Sequence, residues 1–281
     1  MAEFGARDVA ALRKATGAGM MDCKKALEET GGDLETAKDW LRAQGITKQD
    51  KRGGRAAEQG AVDVVVEGNH GAVVELTCET DFVAKGADFR ALVTALAEHV
   101  AEHGDDDVEG QPFDGGTVGD AIKALGAKVG ENVGLGRVAR FESADGIVDG
   151  YKHIQFERGT IGVLVELGGV DPSDAKACEV AHEIALHIAS AAPRYTIRDD
   201  VPADVVDKER SVLEELTRNE GKPEQAVPKI VEGRLNGFYK DVVLVEQPFV
   251  RDPKTTVGKV LEQLGGEATV RRFVRVKIGE E

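Results

Sequence analysis

Apolar residues recur at steps of three and four along residues 6–44, the spacing of helices that bury one face. Glycines interrupt this pattern and divide it into three short helices; they are Gly17, Gly19, Gly31 and Gly32. Asp33 is placed to cap the third helix, and Trp40 with neighbouring leucines centres a thin core. The pattern predicts a three-helix domain over residues 1–46, followed by a basic, glycine-containing linker over residues 47–59.

Two β-hairpins, each followed by a helix, are predicted in the middle of the chain. The first unit has β-branched runs at 61–66 and 71–78 and a helical pattern at 88–103. The second unit repeats this order at 147–154, 161–167 and 173–191. The segments GAVVEL, ending at Leu76, and GVLVEL, ending at Leu167, occupy equivalent places. They indicate an internal duplication and hence two similar subdomains of the α+β class.

A pair of helical segments, 201–219 and 224–238, is joined by a Gly-Lys-Pro turn and predicts an antiparallel helical hairpin. In this hairpin Val205, Val212, Leu213 and Leu216 are expected to face Val227, Ile230, Val231 and Leu235. Strand-like sequence follows at 242–245 and 270–278, with a helix at 256–264 between. We expect one core subdomain at 60–145, another at 146–198 with 240–281, and the hairpin at 199–239.

Composition narrows the range of partners. The 281 residues allow about two domains, and 36 Lys+Arg against 51 Asp+Glu give a net charge of −15. An acidic surface repels phosphate, so we expect no direct nucleic-acid partner. The chain lacks an apolar run of about 18 residues, and its N-terminus carries acids where a secretion signal is basic. We therefore expect a cytoplasmic protein with no membrane partner.

Chemical motifs are sparse. Neither a GxxxxGK[ST] loop nor a strand-linked GxGxxG is present, and we expect no cofactor and no metal. Cys78 adjoins Glu79, and a neighbouring carboxylate raises the pKa of a thiol. Cys78 is therefore interpreted as a small strand residue and not as a nucleophile. The histidine pairs are His182 with His187, which diverge in angle on a helix, and His99 with His103, which lack a third ligand. An enzyme using Cys78 and a histidine is one alternative, and a chaperone-like binding protein is another.

The segment after the first hairpin, ETDFVAKG, places Phe82 beside Asp81 at the end of a strand. In one interpretation Asp81 caps a helix and Phe82 folds back on the core as a hydrophobic staple. In the other, the two residues form a protruding wedge that enters a partner.

Two long segments resemble the signatures of the bacterial translation elongation factor Ts family. They are LRKATGAGMMDCKKAL, residues 12–27, and ELTCETDFVAK, residues 75–85. Similarity continues through residues 159–167, 221–238 and 247–249, so it covers essentially the full chain. The resemblance implies a ubiquitin-associated-like (UBA-like) three-helix domain, a core of two related subdomains and a coiled-coil hairpin.

The resemblance also implies a function without covalent chemistry: guanine nucleotide exchange on the GTPase elongation factor Tu, bound as a 1:1 or a 2:2 complex. The family segment that enters the GTPase near its magnesium and phosphates corresponds here to Thr80, Asp81, Phe82 and Val83. Arg13, Met20 and Met21 fall at contact positions of the first signature, and His153 at a position that touches the distal domain of the partner. From the residues alone, the adjacent methionines are either helix core or an adaptable interface.

Some family members carry a further C-terminal helix that contacts the GTPase, and we expect this contact to be absent here.

Overall fold

The computed structural model describes residues 4–16, 18–43, 57–265 and 267–280, so most of the predicted linker lies outside the described residues. Three helices form the N-terminal part: α1 (Ala6–Thr16), α2 (Met20–Glu29) and α3 (Leu34–Ala43). Their small core includes Leu12, Leu27 and Leu41, all fully buried. Asp33 Oδ1 accepts the N–H of Thr36 at 2.7 Å, which confirms the predicted cap of the third helix.

The first core unit is an antiparallel sheet covered by helices on one face. In chain order it contains β1 (Gln59–Glu67), β2 (His70–Cys78), α4 (Asp81–Ala84), α5 (Ala87–His103), β3 (Pro112–Phe113), β4 (Gly116–Thr117), α6 (Val118–Val129) and β5 (Gly134–Glu142). The sheet order is β1-β2-β5, and β3 and β4 form a separate small hairpin. The segment at 104–119, which is rich in Asp and Gly, contains this hairpin together with buried Val108 and Val118.

The second unit repeats this arrangement, and the fold class is α+β as predicted. Its elements are β6 (Ile147–Gln155), β7 (Arg158–Gly168), α7 (Ala175–Ala191), α8 (Ala203–Asn219), α9 (Val227–Val242), α10 (Val257–Glu262) and β8 (Thr269–Lys277). The sheet order is β6-β7-β8. The duplicated glutamates of the central strands are both buried: Glu75 pairs with Arg137 at 3.1 Å and Glu166 with Arg272 at 2.6 Å.

The prediction of a strand at 242–245 is wrong. Helix α9 continues to Val242, where the N–H of Val243 donates to the carbonyl of Tyr239 at 2.8 Å, and a 3-10 turn covers Leu244–Glu246. Leu244 is fully buried in the core around α7. A short apolar run does not distinguish a buried helix end from a strand, which explains the error.

The helical hairpin is built from α8 and α9, but the α8 face differs from the prediction. Val206 and Leu213 pack against the buried α9 residues Val227, Val231 and Leu235. Val212 and Leu216 are instead 53% and 47% exposed. Leu213 therefore contacts α9 as predicted, and Val206, seven residues earlier and so on the same side of the helix, takes the place of Val212 and Leu216.

The two sheets pack face to face, so the core has the layers helix, sheet, sheet and helix. Val62 and Val73 of the first sheet share a buried cluster with Leu164 and Val276 of the second. Gly162 lies in this contact, where an added Cβ would come within 2.5 Å of Val62 Cγ1 and 2.7 Å of Val73 Cγ2. The glycine of GVLVEL is therefore required by the close approach of the sheets.

We predict that Gly162→Ala lowers the free energy of unfolding by about 1–3 kcal/mol, because the added methyl group overpacks the contact between the sheets. Gly233→Ala is the matched control, since nothing lies within 4 Å of its added Cβ on α9. The control should raise the stability by about 0.5–1 kcal/mol. Urea denaturation followed by circular dichroism measures both, and equal stability of Gly162→Ala and the parent would contradict the packing argument.

Candidate functional site

The segment from Thr80 to Val83 leaves the end of central strand β2 and forms the single turn α4. Thr80 is the N-cap of this turn, and its Oγ1 accepts the N–H of Val83 at 3.4 Å. Ala84 is fully buried, whereas Phe82 is 82% exposed. The interpretation with an Asp81 cap and Phe82 folded on the core is wrong, because Thr80 caps the turn and Ala84 fills the core position.

Glu131, in the loop between α6 and β5, holds this turn in place. Its Oε2 accepts the backbone N–H groups of Glu79 and Thr80 at 3.1 and 2.9 Å, and its Oε1 accepts the Thr80 hydroxyl at 2.6 Å. Glu79 returns the contact by accepting the N–H of Asn132 at 2.7 Å. Hydrogen bonds to a carboxylate are strong, so the short helix is fixed on the protein although its aromatic ring is exposed.

Asp81 and Lys85 form an ion pair on the same turn, with 2.6 Å between Asp81 Oδ2 and Lys85 Nζ. The hydrogen bond from Lys85 lowers the pKa of the Asp81 carboxyl below its usual value. Asp81 is therefore negatively charged at neutral pH, and α4 presents a carboxylate directly beside an exposed aromatic ring.

The N-terminal helices form a groove of about 710 Å³ between α1 and α2, lined in part by Arg13, Met20 and Met21. Met20 is 60% and Met21 is 73% exposed. The helix-core interpretation of the two methionines is therefore wrong, since Leu12 and Leu27 fill the centre of this domain instead. The flexible thioether side chains are therefore available for contact with a partner surface.

His153 lies on β6, half-buried, with Nδ1 at 3.2 Å from the hydroxyl oxygen of Tyr151. It lines a second cavity of about 550 Å³ together with Arg158 and Lys277. The cavity lies beside the hairpin turn that joins β6 to β7, so His153 is accessible from solvent on this side.

Cys78 and His187, two of the candidates for chemistry, are both buried. Cys78 is fully buried. Its thiol pKa is raised to about 12, first by burial and second by the negative charge of Glu131. His187 is buried against Gln247 Oε1, 2.9 Å from its Nε2. Among the described residues, no group of three or more His, Cys, Asp or Glu is arranged to hold a metal ion. No helix within the described ranges is long and apolar enough to span a membrane.

The structure is an α+β protein with three N-terminal helices, a four-layer core of two similar units and a helical hairpin. This is the architecture that the sequence resemblance implies. The family model described as "Elongation factor TS" matches residues 79–280. Elongation factor Ts of Micrococcus luteus is 46% identical, over 99% of this chain and 100% of the relative. The corresponding proteins of Streptomyces avermitilis and Mycobacterium avium are 48% and 47% identical, over 99% and 100% of this chain and all of each relative. The chain belongs to the elongation factor Ts family, known as the nucleotide exchange factor of elongation factor Tu.

Sequence reasoning singled out the exposed turn but missed Glu131, the residue that positions it. Glu131 lies 51 residues after Thr80, in a stretch without a recognisable motif. Its weak signal is a lone carboxylate directly after the Gly130 helix end, which is common in surface loops.

We predict that Glu131→Gln accelerates amide hydrogen exchange in residues 80–85 by about tenfold or more, because hydrogen bonds to a charged acceptor each contribute about 1.5–3 kcal/mol. Exchange followed by mass spectrometry on that peptide measures the change. Glu98→Gln, at an exposed position of α5, is the control and should leave the peptide unchanged. Equal protection in Glu131→Gln and the parent would show that Glu131 does not hold the turn.

We also predict that a chromogenic disulfide reagent reacts quickly with one thiol of the folded protein, the half-buried Cys178. Cys23 and Cys78 are buried, and burial raises the pKa of both thiols. Cys178→Ser should remove the fast phase, whereas Cys78→Ser should retain it. A fast phase that disappears in Cys78→Ser would restore the case for a reactive Cys78.

Proposed function

We propose that this chain is a guanine nucleotide exchange factor for elongation factor Tu that acts in the cytoplasm by non-covalent binding. The observation that carries the proposal is the exposed Phe82 ring beside the Asp81 carboxylate, on a turn fixed by Glu131. A large aromatic side chain that is exposed on a rigid support is well suited to fill a pocket of a partner, because little conformational entropy is lost on binding.

In the proposed mechanism, Thr80 to Val83 enter the GTPase beside its magnesium ion and phosphate-binding loop. Mg²⁺ and the loop hold GDP largely through charge, so displacing either one removes a large electrostatic contribution to affinity. Phe82 separates partner elements, and the Asp81 carboxylate disturbs those that hold the metal. No bond in the nucleotide forms or breaks.

The energetics require only differential binding. If the factor binds nucleotide-free elongation factor Tu more tightly than the GDP-bound form, it lowers the affinity for GDP by the same factor. The relation is reciprocal, so binding of GTP afterwards lowers the affinity for the exchange factor and releases it. Arg13, Met20 and Met21 would provide a second contact with the GTPase, and His153 a third, on its distal domain.

We predict that the intact protein accelerates release of a fluorescent GDP analogue from elongation factor Tu, and that Phe82→Ala slows this release by about tenfold or more. Val212→Ala is the matched control, because Val212 is an apolar residue on α8 that is 53% exposed. A double change of Asp81 and Phe82 tests whether the two residues act as one unit.

The exchange function and the role of Phe82 as a wedge are tested by different results. No acceleration by the intact protein would contradict the exchange function, and full activity of Phe82→Ala would contradict the wedge alone. Loss of activity in Cys78→Ser with unchanged folding would favour the alternative of an enzyme that uses Cys78.

A further inference from the structure

A second phenylalanine is exposed at the tip of the β6–β7 hairpin. Gln155 pairs with Arg158, so Phe156 and Glu157 are the two central residues of the turn. Both have positive φ, 50° and 67°. Turns with positive φ at both central positions favour Asn, Asp and Gly, and a bulky side chain there is strained.

The strain is not offset by burial within the chain. Phe156 is 74% exposed, comparable with the 82% of Phe82, and both are far more exposed than the core residue Phe89 at 1%. A strained backbone that carries an exposed aromatic ring is the pattern expected where a side chain is kept for contact with another molecule.

Phe156 and Phe82 line the same cleft, a cavity of about 560 Å³. Lys85 Nζ lies 5.3 Å from the centroid of the Phe156 ring and 2.6 Å from Asp81 Oδ2, so one ammonium group contacts both sides of the cleft. Arg90 Nη1 donates to the carbonyl of Glu157 at 3.0 Å and ties the hairpin turn to α5. The two rings are therefore presented from one fixed surface.

The tip also lies between two contacts of the proposed function. Phe82 is across the cleft, and His153 precedes Phe156 by three residues on the same hairpin. We propose that Phe156 is a second aromatic contact residue for elongation factor Tu, and that an apolar side chain of the GTPase enters the cleft between Phe82 and Phe156. This inference rests on the proposed exchange function and assigns a further residue to it.

The test is Phe156→Asn, which removes the ring and places a residue that tolerates positive φ in the turn. We expect the thermal unfolding midpoint to stay the same or rise, while the affinity for nucleotide-free elongation factor Tu falls by about tenfold. Phe156→Gly should behave in the same way, and Phe156→Tyr should keep most of the affinity. Val212→Ala is again the matched control for loss of an exposed apolar side chain.

The outcomes distinguish this inference from the function on which it rests. If the intact protein accelerates GDP release and Phe156→Asn binds and exchanges equally well, the contact role of Phe156 is wrong while the proposed function stands. If the intact protein does not accelerate GDP release, both are wrong. A fall in affinity without a fall in the unfolding midpoint supports Phe156 as a contact residue, since a merely structural role would lower both.

Discussion

The face-to-face contact of the two sheets determines where every other part of the core lies. Val62 on one sheet and Leu164 on the other share a buried cluster, and Gly162 allows the strands to approach closely. Polar contacts also cross between the halves: among them, Lys152 pairs with Asp63 at 2.5 Å, and Arg158 Nη1 donates to the carbonyl of Gly60 at 2.6 Å. This packing brings the β6–β7 turn of one unit beside the α4 turn of the other, and so creates the cleft between the two exposed rings.

In the first unit, the residues that stabilise the α4 turn differ from the residue that exposes its aromatic ring. The β2 strand buries its apolar residues through Cys78, and the chain then leaves the core within two residues. A free one-turn helix is not stable in water, so α4 depends on the Glu131 carboxylate and on its own Thr80 cap. Rigid support from the core and exposure of the ring are thus provided by different residues, which explains how a small turn can carry a binding role.

Local patterns were sufficient for much of the fold, including the three N-terminal helices, the duplicated hairpins and the Asp33 cap. They were insufficient where tertiary contact decides the outcome. The run at 242–245 is apolar in either a strand or a helix end, and only the core around Leu244 selects the helix. At the site, the residues of α4 alone left two interpretations open, and the family resemblance favoured the exposed wedge. Glu131 and Phe156 were not identified, since both act through partners more than 50 residues away.

In the proposed mechanism, this protein promotes exchange by binding one nucleotide state of elongation factor Tu more tightly than another. The most direct measurement is a closed cycle of four dissociation constants: this protein with GDP-bound and with nucleotide-free elongation factor Tu, and GDP with and without this protein. We expect tighter binding to the nucleotide-free form and the same ratio of dissociation constants on both sides of the cycle. Equal affinity for the GDP-bound and nucleotide-free forms would contradict it, because no differential binding energy would then be available to release GDP.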